Sequence, residues 1–313
     1  MTDAHSAIPK PAHHGHRVSN VTPWCFLAPA ALMFILFLAT PIIYAVFLSF
    51  RAMKVKGLGL TPGDRYEEWA GLSNYQSAMT DPEFLGSVGR VLLYGTILVP
   101  TMIALATLFA LLLDSRRSKL KKFTRISIFL PYAVPAVIAS IMWGFMYLPN
   151  VSPFQYVTNL FGANFPNMVD NNLILFGVAN IALWGGVGFN MVVVYTSLKA
   201  IPTDLYEAAV LDGANEFQIA VRVKLPIVLP AVIMTLLFSM ISTIQVFAEP
   251  QTLKPLTNTI SSTWTPLMKI YRDAFTRNDI YSASASSVVL AFVTFIVSFG
   301  FLKLVSRRAF DEG

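Results

Sequence analysis

The sequence predicts an all-α membrane protein with about six transmembrane helices and one polar, helix-forming loop between the fourth and fifth. Three observations carry this. The runs 24–50, 91–113, 126–148, 171–198, 225–248 and 280–302 contain no Asp, Glu, Lys or Arg. Each is long enough to cross a hydrocarbon core of about 30 Å, which takes roughly 20 helical residues. Over its 313 residues the chain is 55% hydrophobic and 13% charged, against about 25% charged in soluble domains. A soluble helical protein would have too little polar surface left to face water. The spans are therefore placed at about 24–50, 91–113, 126–148, 172–198, 226–248 and 281–303.

Residues 1–23 are polar, carry Pro9, Pro11 and Pro23, and read as a disordered tail. Within it, His13, His14 and His16 have no fixed geometry to bring metal ligands together, and no metal site is assigned. The first apolar run exceeds the roughly 7–15 residues of a signal-peptide core and has no clear cleavage site, so it reads as an uncleaved span. The single Cys25 excludes an internal disulfide. The net charge of +6 does not point to nucleic acid, because the basic residues sit where a membrane protein needs them.

The stretch 114–125, "DSRRSKLKKFTR", holds six bases and one acid, and 149–170 holds no base. Short basic loops stay in the cytoplasm. The N-terminus, 114–125, 199–224 and the end 309–313 are therefore placed inside. The segment 51–87 lies outside, with turn signals "GLGLTPGD" and "TDPE" and with Trp69 and Tyr75 as interfacial anchors. Pro41, Pro100, Pro131, Pro135 and Pro230 predict kinks within spans.

No phosphate-binding G-x-x-x-x-G-K-[ST], no H-E-x-x-H and no G-x-S-x-G occurs. Carboxylates are absent from mid-span, where proton-driven carriers keep their relays. No catalytic residue and no cofactor site is assigned. The chain reads as a transport element without its own fuel site. A carrier or channel acting alone is the alternative, and a membrane-embedded enzyme lacks any supporting spacing.

The loop 199–225 interrupts this pattern. Thr203 is placed to cap a helix through "YEAA", Gly213 permits a turn, and a second short helix follows from Asn215 to the fifth span. By itself this is a knob or a solvated amphipathic connector. Its string "EAAVLDGANEFQIAVRVKLPIVLP" closely resembles the E-A-A-x-x-x-G-A…L-P-x-x-x-P loop of ABC-importer permeases, matched at Glu207, Ala208, Ala209, Gly213, Ala214, Leu225, Pro226 and Pro230. "SLKAIPTDLYEAA" (197–209) is similar to the carbohydrate branch. Phe26-Leu27-Ala28-Pro29, Ser49-Phe50 and "SASASSVVLAFVTFIVSF" (282–299) resemble its maltose- and glycerol-phosphate-type first permease subunit. The resemblance covers about residues 24–308. Two departures stand out. "FAEPQTLKPLTN" (247–258) replaces a T-x-G-G-P-like turn, and 51–87 is short beside the large inserted domain of the enterobacterial maltose protein.

The resemblance implies a type I importer permease in a bacterial inner membrane. Its coupling helix, with Tyr206, Glu207, Ala208, Ala209, Asp212, Gly213 and Ala214, would dock in a cleft of a separate ATPase. The implied partners are a second related permease, two ATPase copies holding ATP and Mg2+, and an extracytoplasmic solute-binding protein. The spans would rock around a midplane cavity for a sugar or sugar-like solute. Polar uncharged groups within spans must face protein or water. Asn190, Ser239, Ser242, Thr243 and Gln245, with Glu249 at the outer end, are the candidate solute path. Ser239, Ser242 and Gln245 share a helix face that Glu249 continues, and Trp184 and Phe247 are nearby aromatics for stacking. The other reading is that these groups bridge neighbouring helices.

Overall fold

Lipid leaves a spanning chain two ways to satisfy its backbone, the helix and the closed barrel, and the uncharged runs are helical. The computed structural model describes residues 21–57, 64–115, 119–149 and 151–309. The histidine-bearing tail through residue 20, residues 116–118 of the basic loop and 310–313 lie outside the described residues. Residues up to Phe47 form one unit and Leu48–Gly313 another.

The described part of the first unit is helical from Val21, so the polar tail ends earlier than the uncharged run suggests. Helix α1 (Val21–Phe34) passes through a π turn (Ile35–Ala39) into α2 (Thr40–Ser49), which runs into the second unit.

The second unit begins with a feature that the sequence did not announce. Strands β1 (Arg51–Val55) and β2 (Arg65–Trp69) pair antiparallel, with Arg51 opposite Trp69 and Val55 opposite Arg65. Lys54 pairs with Glu68 at 2.8 Å and Arg51 with Glu67 at 3.0 Å. Trp69 and Tyr75 both pack on Phe50, with ring centroids 5.5 Å and 5.4 Å from it. Helix α3 (Ser73–Thr80) follows.

Helix α4 (Pro82–Asp114) starts nine residues before the uncharged run at Val91, because Asp81 caps it, accepting from the Glu83 N–H, and Pro82 takes a first-turn position. Its buried Val91, Tyr94, Leu98, Met102, Ala106, Ala110 and Leu113 recur every three or four residues. They form the core with Val178, Ile181, Met191, Val194 and Leu198 of α8 (Ile174–Lys199). Small residues bring the two helices close: a Cβ at Gly186 would come within 2.7 Å of Met102 Cε.

The expected third span is not one helix. Helix α5 (Lys121–Phe129), a 3-10 turn (Leu130–Ala133) and α6 (Ala136–Tyr147) occupy it, with a 98° bend. Pro131 in the 3-10 turn and Pro135 at the cap of α6 each lack a backbone donor. Among the described residues, five helices are long and apolar enough to cross a membrane, and this bent pair is the sixth candidate. The end of α5, just ahead of the break, rests on α8 at Gly188, whose Cβ would collide with the Ile128 carbonyl oxygen.

Helix α7 (Pro153–Leu160) lies between α6 and α8. Beyond α8 come α9 (Thr203–Leu211), α10 (Glu216–Ile219), a π turn (Ala220–Lys224) and α11 (Leu225–Ile244). Helix α11 packs on α4, α8 and α14. It stops at Ile244, short of the expected 248, and α12 (Ala248–Leu253) turns away to pack on α6. Helix α13 (Pro266–Tyr271), a π turn (Arg272–Thr276) and α14 (Ile280–Ala309) complete the unit.

Candidate functional site

Two features stand out, a knob at one end of the helices and a cavity among them. The knob begins where α8 ends. Thr203 is the first residue of α9 and not its cap; Pro202 holds that position without a side-chain acceptor. The other end of α9 is closed tightly. The Gly213 N–H donates to Val210 O and the Ala214 N–H to Ala209 O, each at 3.0 Å, with Gly213 at φ 80°. This is the six-to-one, five-to-two pattern that needs a left-handed residue. Asn215 and Gln218 then exchange side chain-to-backbone bonds, both at 2.9 Å, and start α10 with a capping box.

The predicted loop residues face two ways. Glu207, Ala208, Asp212 and Gly213 are exposed, and Leu211 and Phe217 stand out from the same knob at 88% and 76% exposure. Large apolar side chains this open beside a carboxylate suit a partner surface. Tyr206 faces inward instead, with Lys224 4.7 Å from its ring centre. Burial, with the Asp114 charge nearby, pushes its hydroxyl above the ordinary value, so it stays a neutral donor to Leu198 O at 3.3 Å. Ala209 and Ala214 are half-buried.

Below the knob sits Asp114, the last residue of α4, whose role sequence reasoning missed. Its carboxylate meets Lys199 at 2.7 Å and Lys224 at 2.5 Å, and its side chain is 5% exposed. Ser115 donates to Glu216 at 3.3 Å. The ends of α4 and α8, the start of α10 and the approach to α11 are thus tied together. The signal in the sequence was a lone acid in a basic loop, but its two partners are distant in the chain.

The cavity, about 520 Å³, lies among α4, the bent segment, α6, α8, α11 and α12. Asn190, Ser239, Ser242, Thr243 and Glu249 line it, as do Tyr132, Phe189 and Phe238. Gln245 does not; it lines a second cavity of about 270 Å³ with Tyr94 and Phe247. Ser242, Thr243 and Glu249 belong to both walls. The single helix face expected for Ser242, Gln245 and Glu249 does not exist. The helix ends at Ile244, and Glu249 is in the first turn of α12. Asn190 is partly committed, donating to Gly186 O at 3.1 Å, and Thr243 donates to Ser239 O at 2.7 Å. Trp184 lies outside both cavities, edge-on to Trp143 at 6.0 Å. The aromatic wall is instead Tyr132 stacked on Phe189 at 4.9 Å. Tyr132 sits in the proline-broken turn, and a straight third span would not have delivered it. Among the described residues no group of three or more His, Cys, Asp or Glu is placed to hold a metal.

Comparison with known proteins gives this architecture a setting. The sn-glycerol-3-phosphate transport system permease protein UgpA of Escherichia coli O6:K15:H31 is 24% identical over 286 residues, covering 90% of this chain and 92% of the relative. Its counterpart in Brucella suis biovar 1 is 27% identical over 294 residues, covering 93% and 96%. Among solved structures, a bacterial ABC transporter involved in import of the acidic polysaccharide alginate has a chain with the same fold. That chain matches with a TM-score of 0.78 and 20% identity, covering 91% of this chain and 95% of its own. The family model described as "Binding-protein-dependent transport system inner membrane component" matches residues 102–311, more than half of the 313. The chain therefore belongs to the family of inner membrane components of binding-protein-dependent transport systems and is a membrane permease subunit.

Proposed function

We propose that this permease is one of two related membrane subunits of an ATP-driven importer for a sugar or sugar-like solute, and that the 203–224 knob couples it to a separate ATPase. The observation that carries the reading is the knob: a helix locked by a glycine turn and a capping box, displaying Glu207, Leu211 and Phe217 outward. Exposed apolar groups on a rigid element fit a cleft, and a carboxylate beside them sets register against a basic partner. Two ATPase copies would hold the ATP and Mg2+, and an extracytoplasmic binding protein would deliver solute. With the basic 114–125 loop and the knob on one side, both termini face the cytoplasm. The relatives named for sn-glycerol-3-phosphate and the alginate importer support a carbohydrate-like cargo. Asn190, Ser239, Ser242, Thr243, Gln245 and Glu249 line its path.

The test is solute-stimulated ATP hydrolysis by the assembled complex. Glu207→Ala and Gly213→Val should each abolish it. A Cβ at Gly213 would meet no atom within 4 Å, and the expected penalty is backbone strain at φ 80°, about 1–3 kcal/mol. Normal uptake with either substitution would reduce the knob to a connector.

A further inference from the structure

Glu249 lies in the wall shared by the two cavities, and among the described residues no Lys, Arg or His lines either cavity. Among the described residues no other side chain pairs with its carboxylate. The smaller cavity is also lined by Tyr94, which is 1% exposed and whose hydroxyl has no hydrogen-bond partner. Buried polar groups are ordinarily paired, and one left unpaired costs about 1–3 kcal/mol. An acceptor-only carboxylate thus stands in the wall common to both cavities, and a phenol that can donate and accept, its hydroxyl unpaired, backs the smaller one.

The rest of the wall is neutral. Ser239, Ser242 and Thr243 offer hydroxyls, and Tyr132 and Phe189 form the aromatic side of the larger cavity. An anion entering this space would meet a like charge at low dielectric with no base from this chain's walls to offset it. A simple cation would satisfy Glu249 but leave the Tyr94 hydroxyl and the aromatic face unused. Neighbouring hydroxyls on a sugar ring donate to the carboxylate, exchange bonds with the phenol, and present an apolar ring face to the aromatics.

We infer that Glu249, with Tyr94, makes this permease selective for an uncharged, hydroxyl-rich solute and that Glu249 excludes anionic sugars such as sugar phosphates and uronates. The inference rests on the importer reading above and narrows its cargo, in contrast to the anionic cargoes named for the UgpA relatives and the alginate importer.

The test uses the complex purified through a tag on this chain, embedded in lipid nanodiscs, with saturation-transfer NMR against three probes that share one ring: glucose, glucuronate and glucosamine. Glucose should give a signal at least about tenfold stronger than glucuronate with the wild type, one decade of discrimination. Glu249→Gln keeps an acceptor but removes the charge, so glucuronate should rise to within about threefold of glucose. Tyr94→Phe should weaken glucose several-fold without admitting glucuronate. Equal glucose and glucuronate signals in the wild type overturn the inference, as does an unchanged ratio in Glu249→Gln. Glucosamine outcompeting glucose through Glu249, or no glucose signal at all, also overturns it. ATP hydrolysis by the same preparations separates the two levels. Absence of an ATPase from the purified complex defeats the importer reading, whereas coupled hydrolysis without the charge discrimination defeats only the role of Glu249.

Discussion

Lys269 offers a sharp test of what holds the end of α4 remote from the knob. Its side chain is 3% exposed and lies 2.9 Å from Asp81 and 2.6 Å from Asp273. Replacing it with Met keeps the chain length and removes the charge. Asp273 would still hold Arg272 at 2.9 Å and Arg277 at 3.5 Å. Asp81, 27% exposed, would keep only backbone donors such as the Glu83 N–H at 2.9 Å. One carboxylate of the pair is thus stranded, which places the cost at the low end for breaking a buried ion pair, about 3 kcal/mol. For a unit of this size that is about 6–12 °C in Tm, read from tryptophan fluorescence on heating in detergent micelles at neutral pH. Adding Asp81→Asn should recover part of the loss, because the stranded charge is gone. Burial pushes the Asp81 carboxyl up, but the Lys269 hydrogen bond and backbone donors outweigh it and hold it below the ordinary 3.8. A carboxyl depressed by folding stabilises fully above its ordinary value, and that stabilisation is lost as pH falls through the depressed one. The gap between wild type and Lys269→Met should therefore stay constant near neutrality and narrow below about pH 4. A shift under about 2 °C at neutral pH would show that the cluster gives no more than an exposed ion pair does.

Gly188→Ala drives a Cβ toward the Ile128 carbonyl and to 2.7 Å from Phe129 Cα; it should cost about 1–3 kcal/mol, and a Tm within 1 °C of wild type (about 0.5 kcal/mol or less) would show that the bent segment yields freely. Asn215→Ala removes the cap of α10 at a cost of about 1 kcal/mol, and amide exchange over 216–218 should quicken about fivefold; unchanged exchange means the cap is idle. In a Cys25-free background, Leu120→Cys should resist an impermeant maleimide added from outside until the membrane is opened. Labelling without opening reverses the assigned orientation.

The spans were legible because charge is forbidden in lipid whatever the tertiary fold, so runs without Asp, Glu, Lys or Arg mark them directly. Whether a run is one helix is a different question. Between 126 and 148 the prolines were visible, but a kink and a 98° break look alike in sequence. The end of α11 at Ile244 carries no breaker residue; Gln245 and Phe247 leave helical geometry, and α12 packs on α6 instead. That tertiary preference moved Glu249 from a continued helix face to a cavity wall. The hairpin escaped because its strands are short, charged and paired only with each other. In the knob, the glycine turn was readable from Gly213 alone, whereas the inward turn of Tyr206 depends on Lys224 and Leu198, which only the fold brings to it.

The single carboxylate of Asp114 grips a lysine just before the knob and another at its end. A protruding loop held at one end would swing, and a push on it would be dissipated in its own bending. Pinned at both feet to one point on a third helix, the knob behaves as a lever arm with a short base. A load placed on it would be shared by α4, α8 and α11, the same helices that contribute walls to the cavity. Lengthening the loop at its tip would then change the reach of the arm but not its fulcrum, whereas neutralising Asp114 would leave every outward-facing residue in place and let the base slip.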